Sequence, residues 1–273
     1  MNDLTIRVAQ TVGRHFVTLS CVQRLPANSS EKILVFSGFV VDIAGEWFYV
    51  TAGHILKDIR LALAAGATFD VWRLDDQTAG NRFNGVAVPY SFDLVDWVVL
   101  EDAETALDYA AVHLGGLYRR QLAVGGVAAI GNNAWSDHVT DHDQWALVGI
   151  PSESVAYDGK TVITARVVVA PLIPTDEPAL AHDKAQNQFY AKLAEGYERV
   201  LNDIDGMSGG PIFTLKKVDG TWMYGVIGIQ SGWYRTSKTL AACPFSTFGQ
   251  ALEKVVKEAK SIHVQSGDAQ SAT

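Results

Sequence analysis

Cysteine is nearly absent from this chain. Only Cys21 and Cys243 occur, toward opposite ends of 273 residues, so a scaffold stapled by several disulfides is excluded. Both are expected to be buried thiols that serve as small apolar side chains. Positive charge is also short: 22 Lys and Arg stand against 30 Asp and Glu, a formal charge of −8. No basic cluster exceeds Arg119-Arg120 or Lys216-Lys217, which speaks against a nucleic-acid partner, since that needs a basic patch. No run reaches 18 consecutive apolar residues, so neither a membrane span nor a membrane partner is expected. The opening residues, Met1 to Arg7, lack the basic segment and following apolar segment of a secretory leader. A cytoplasmic location is therefore the expectation. Low-complexity stretches and internal repeats are missing as well.

What is present is apolar residues in short runs. They make up 48% of the chain, enough for one large core or two smaller ones. Runs rich in Val, Ile, Phe, Tyr and Trp read as strands at Phe16–Val22, Ile33–Asp42, Trp47–Thr51, Phe69–Leu74, Asp96–Leu100 and Asp108–Leu114. Others follow at Trp145–Gly149, Thr161–Ala170, Pro211–Leu215 and Met223–Gln230. Gly45-Glu46 and Asp219-Gly220 read as hairpin turns. Helical spacing is found at Ile55–Ala65, weakly at Asp183–Val200, where a strand in the second half is the alternative, and most clearly from Phe245 to His263. In the last, Phe245, Phe248, Leu252, Val255, Val256, Ala259 and Ile262 share one face. Residues 264–273 are small and polar and are expected to be a disordered tail. Many short strands with turns between them indicate a sandwich or barrels.

Three segments carry chemistry. Asp205-Gly206-Met207-Ser208-Gly209-Gly210-Pro211 sets a serine in a glycine-rich turn before a strand. Acyl transfer needs such a hydroxyl, and needs backbone N–H groups free to face a developing oxyanion. Thr51-Ala52-Gly53-His54 ends a strand in small residues and opens a helical turn with a histidine. Leu107-Asp108-Tyr109-Ala110-Ala111-Val112-His113-Leu114 opens an apolar strand with an aspartate. Beside a histidine, that carboxylate would fix the tautomer and favour the imidazolium. Asp96 also opens an apolar run and competes for this role, with Asp93 behind it.

In the order His, Asp, Ser, these segments resemble the trypsin-like serine peptidases of the chymotrypsin fold, as a bacterial-type member. The resemblance extends from about Phe16 to His263. It implies an all-β chain of two antiparallel six-stranded β-barrels and a C-terminal helix. Residues 1–120 would form the first barrel, with His54 and Asp108. Residues 121–263 would form the second, with Ser208, and the join lies near Gly115–Gly126. The implied activity is serine endopeptidase chemistry through an acyl-enzyme, on a protein or peptide substrate, with no metal or other cofactor. Ser208 would be the nucleophile, His54 the general base and Asp108 its orienting acid, preferred to Asp96 by the Asp-Tyr-Ala-Ala-Val-His-Leu match. Gly206 and Ser208 would supply the oxyanion hole, and Asn202, Gln230, Ser231 and Gly232 the substrate-binding wall.

Two departures from the family pattern carry consequences. Met207 precedes the nucleophile where many relatives have an Asp that receives a newly cut N-terminus. Asn202 stands where relatives that cut after Arg or Lys have an Asp, so a preference for basic residues is not implied. Narrow specificity or an activating protein partner is expected instead. The rival reading is a catalytically silent protein-binding module on the same fold. An α/β esterase is disfavoured, because there the histidine comes last in the chain. Asp137-His138 through His142-Asp143 has the residue types of a metal site, but no helical apolar face supports one, and it reads as a surface loop.

Overall fold

The computed structural model describes residues 3–26, 31–74, 87–139, 144–157, 163–178, 187–197, 201 and 203–270. Its first half is built from seven strands: β1 (Phe16–Arg24), β2 (Glu31–Ile43), β3 (Glu46–Thr51), β4 (Thr68–Leu74), β5 (Val88–Pro89), β6 (Trp97–Asp102) and β7 (Leu107–Leu114). They form one sheet in the order β5-β4-β1-β2-β3-β7-β6. A short pair, β9 (Ala156–Tyr157) and β10 (Ile163–Thr164), lies within the second half. The other strands there are β8 (Gln144–Gly149), β11 (Val168–Thr175), β12 (Phe189–Leu193), β13 (Pro211–Val218), β14 (Thr221–Tyr234) and β15 (Thr239–Pro244). These six close a barrel in the order β11-β12-β15-β14-β13-β8.

The all-β class, the closed second barrel and the C-terminal helix are as expected. The first body differs in detail. Among the described residues it is a seven-stranded sheet whose edge strands β5 and β6 do not pair, rather than a closed six-stranded barrel. The expected strand over Thr161–Ala170 is split between β10 and β11. The segment from Asp183, read as a weak helix or a strand in its second half, contains β12.

The sequence of the first sheet is apolar on both faces, because both faces are covered. Successive side chains of a strand point to opposite sides. In β7, Ala110, Val112 and Leu114 enter the sheet's own core with Leu56 and Ile59. Tyr109 and Ala111 enter a second core, shared with Val148, Phe213, Ile229 and Phe245 from the other half. That shared core holds the two bodies together. The barrel interior is a third cluster, which includes Leu147, Ile212 and Met207. The β2–β3 turn has Ala44 and Gly45 both at positive φ, as does the β13–β14 turn at Asp219 and Gly220. Those are the backbone signs of the tightest hairpins.

Among the described residues, four α-helices complete the fold: α1 (Asp3–Gly13), α2 (Gly53–Ala64), α3 (Gly116–Val124) and α4 (Phe245–Gln270). Neither α1 nor α3 is among the helices expected from the sequence. The glycines expected to mark a join lie between β7 and β8 and cap α3, with Gly115 before it and Gly125 after it. Gly126, at φ +89, then closes it in the left-handed conformation common after helices. Helix α4 seats Phe245, Phe248 and Leu252 in the shared core, whereas Val255 and Ile262 of the expected face are exposed. It continues past His263 to Gln270, where a disordered tail was expected. Once a helix exists, Ala and Gln extend it at little cost. Cys21 and Cys243 are free, buried thiols. Burial pushes both up, Cys243 to about 11. Among the described residues, no helix is long and apolar enough to cross a membrane.

Phe245 is fully buried and meets Phe39 and Trp135 edge-on, with ring centroids 5.4 and 5.5 Å away. Phe245→Ala is expected to lower unfolding free energy by about 3–5 kcal/mol, measured by urea denaturation. A loss under ~1 kcal/mol would show that the shared core does not hold the halves together.

Candidate active site

The site lies where three backbone turns meet. The first is the exit from β3. Thr51 ends the strand, and Ala52 and Gly53 turn the chain into α2, so His54 stands in the helix's first turn. A side chain on Gly53 would lie 2.9 Å from the Tyr109 carbonyl and 3.2 Å from Asp108 Oδ1. Glycine therefore lets the helix start close against β7.

Asp108, near the start of β7, is only 7% exposed. Its Oδ2 lies 2.7 Å from His54 Nδ1, and its Oδ1 accepts from the His54 backbone N–H at 2.7 Å. Ala52 has no side chain that can cap α2, so Asp108 supplies the cap from another strand. One carboxylate thus holds both the backbone and the ring of the same histidine. Its negative charge at a helix N-terminus is also favourable. Asp96 sits exposed at the end of a short 3₁₀ turn, and Asp93 caps that turn through Val95 N–H. The structure pairs Asp108 with His54, and leaves Asp96 and Asp93 on the surface.

Burial alone would depress the His54 pKa. The hydrogen bond and charge of Asp108, helped by Asp58 and Glu101, outweigh it and move the pKa above the ordinary imidazole value. A raised folded-state pKa means that this pairing contributes stability fully below the unfolded value. The contribution is lost as pH rises through the folded value.

The third turn carries Ser208, and hydrogen bonds set its conformation. Asp205 O accepts from Ser152 N–H at 2.7 Å and Met207 O from Gly210 N–H at 2.9 Å. Gly206 O accepts from Ser37 Oγ at 3.1 Å, and Gly209 N–H donates to Gln230 O at 2.8 Å. In a trans peptide the C=O and the next N–H point oppositely. Tying the carbonyls of Asp205 and Met207 therefore directs the N–H groups of Gly206 and Ser208 the other way. Neither N–H has an acceptor among the described residues. Gly206 adopts φ +87, and a side chain there would strike Ser152. Met207 is fully buried in the barrel and anchors the turn by packing against Gly149.

Ser208 is half-buried. It lines a cavity of about 500 Å³ together with His54 and Gly206. No hydrogen bond joins its hydroxyl to His54 among the described residues.

No protein-family model matches the chain, and no curated protein does. Among solved structures, it is similar to the active form of the Rv3671c protease from M. tuberculosis, at 15% identity and a TM-score of 0.45. That alignment covers 92% of this chain and 86% of that one. It is also similar to catalytically active tobacco etch virus protease in complex with product, at 11% identity and a TM-score of 0.41. Here 85% of this chain and 73% of that one are covered.

The residues expected to form a substrate wall separate in the structure. Asn202 lies outside the described residues. Gln230 is 1% exposed, its N–H donates to Gly210 O, and its Nε2 donates to Gly232 O. It braces the serine turn. Ser231 accepts from Gln188 Nε2 at 3.1 Å and lines a second cavity with His54, Asp108 and Tyr234. Gly232 is half-buried and pairs with Ala241. His138 stacks on Phe189 at 4.6 Å, and His142 lies outside the described residues. No group of metal-ligating side chains occurs among the described residues.

Ser37 and Ser152 were not singled out in the sequence. Ser37 is fully buried; its Oγ accepts from Ile150 N–H at 3.0 Å as well as donating to Gly206 O. It is the only hydroxyl in the apolar run Ile33 to Val41, and a lone buried hydroxyl signals an obligatory bond.

Titration of the His54 ring by NMR tests the electrostatics. Its midpoint should exceed ~6.5 in the wild type and fall in Asp108→Asn, where only the charges of Asp58 and Glu101 still oppose burial. An equal midpoint in both would contradict the assignment.

Proposed function

We propose that this protein is a serine endopeptidase whose nucleophile is Ser208. One observation carries the reading. Two backbone N–H groups without acceptors, a half-buried hydroxyl and a carboxylate-held imidazole all belong to one cleft. In the proposed reaction, His54 Nε2 takes the Ser208 proton as Oγ attacks the scissile carbonyl carbon. The oxyanion forms against the N–H groups of Gly206 and Ser208. His54 then gives the proton to the leaving amine, and the C–N bond breaks. Water, deprotonated by His54, cleaves the resulting ester and restores Ser208. Asp108 keeps Nδ1 protonated, so that Nε2 is the basic nitrogen.

The tied carbonyls of Asp205 and Gly206 and the buried Met207 support a turn assembled without a newly cut N-terminus. Restraint of the enzyme is therefore assigned to narrow specificity, ahead of an activating partner. A silent binding module would have no use for unpaired N–H groups facing a serine.

A fluorophosphonate probe is expected to label the wild type at Ser208, as read by peptide mass spectrometry. Labelling should vanish in Ser208→Ala. In Asp108→Asn it should slow on the order of 10³–10⁴-fold. Labelling that persists in Ser208→Ala would refute the proposal.

A further inference from the structure

The residues just before β1 meet the segment that joins α3 to β8, beside the β13–β14 hairpin. Ala128 N–H donates to Arg14 O. Ile130 N–H donates to Val40 O, and Ile130 O accepts from Asp42 N–H, which makes a parallel bridge to Val41. Backbone groups of successive residues in an extended segment face opposite edges. Ala128 and Ile130 direct theirs to the first sheet, so Ala129 and Gly131 direct theirs the other way. Among the described residues, Ala129 N–H, Ala129 O and Gly131 N–H form no hydrogen bond. Both residues line a cavity of about 350 Å³, with Arg14, Trp222, Met223 and Tyr224. It shares no lining residue with either cavity at His54.

A directed chain of hydrogen bonds holds a guanidinium at this cavity. Ala128 O can only accept, so His15 Nδ1 carries the proton and donates to it. His15 Nε2 is then an acceptor, and Tyr224 OH donates to it at 2.9 Å. Arg14 Nη2 donates in turn to the Tyr224 oxygen at 2.7 Å, and Arg14 Nε lies 3.4 Å from His15 Nε2. His15 is 2% exposed, so the chain rests on a side chain fixed by burial. Arg14 is exposed and meets no carboxylate among the described residues. No Asp or Glu lines the cavity, in a chain whose formal charge is −8.

A staple between the hairpin and the first sheet would need only Tyr224 and His15. Arg14 and the open backbone edge would have no part in it. A held guanidinium without a counter-charge suits a carboxylate, and an unpaired extended edge suits a peptide backbone. Half-buried Trp222 and exposed Met223 add apolar surface at the same place.

We propose that this cavity binds the C-terminus of a peptide. Arg14 holds the terminal carboxylate, and the last peptide groups pair with Ala129 and Gly131. An apolar final side chain lies against Trp222 and Met223. The inference goes beyond the peptidase reading and does not require it, because His54, Asp108 and Ser208 take no part.

The test uses the full chain carrying Ser208→Ala, so that no peptide is consumed. The probes are N-acetyl tripeptides ending in valine, leucine, phenylalanine or tryptophan, each as free acid and as carboxamide. Calorimetry and the NMR signals of the His15 ring report binding. At least one acid should bind saturably and shift His15. Its carboxamide should bind ~10–100-fold more weakly, the worth of a charge-assisted hydrogen bond. Arg14→Gln, at an exposed position, should bring the acid down to the level of the carboxamide. Tyr224→Phe, which releases the guanidinium, should weaken the acid ~2–10-fold. The proposal is overturned if no acid binds below ~10 mM, if acid and carboxamide bind alike, or if Arg14→Gln leaves binding unchanged. Shifts at His54 with none at His15 would put the peptide in the cleft and overturn it as well.

Discussion

Gly209 has no room for a side chain. A Cβ there would sit 2.0 Å from Thr51 Oγ1, 2.5 Å from the Ser37 carbonyl and 2.9 Å from Ala52 N, and φ is +84. The turn that carries Ser208 is therefore pressed against the strand end that carries His54. From the barrel side, the same turn is held by Gln230, whose O and N bond Gly209 and Gly210. Whatever the site does chemically depends on this close approach. Were it to open, the hydroxyl and the imidazole would belong to two separate bodies.

The two bodies bring different things to it. The His54–Asp108 pair is complete within the first sheet, because both residues are fixed by β3, α2 and β7. The hydroxyl and the two N–H donors belong wholly to the second half, on a turn anchored by Met207. What joins them is the shared core behind the cleft, in which Phe39, Val148, Ile229 and Phe245 are all fully buried. Tyr109 adds a link of its own. It stacks on Phe248 at 4.5 Å and donates to the Pro244 carbonyl at 2.7 Å, so the residue after Asp108 is tied to the start of α4. Apolar burial across the junction thus sets the polar geometry at its edge.

Much of this could be read from residue types. Val/Ile/Phe-rich runs located most of the strands, and small residues before His54 and around Ser208 marked the turns, because those signals are local. Ser37 and Ser152 could not be read that way. Their roles come from hydrogen bonds across more than 50 intervening residues, to Gly206 and Asp205. Helices α1 and α3 were not among the expected elements; Val12 of the former and Leu122 of the latter are buried. The pair Gly115-Gly116 lies between the last strand of the first sheet and the first of the barrel, and it also opens α3. The closed first barrel was expected from resemblance alone, and the edges β5 and β6 depart from it.

A crystal structure of the protein with a peptidyl phosphonate bound would test the central claim most directly. The account predicts a covalent bond to Ser208 Oγ. It also predicts the phosphoryl oxygen at about 2.7–3.1 Å from the N–H groups of both Gly206 and Ser208, with His54 still held by Asp108. An adduct on another residue, or a phosphoryl oxygen turned away from both N–H groups, would contradict it.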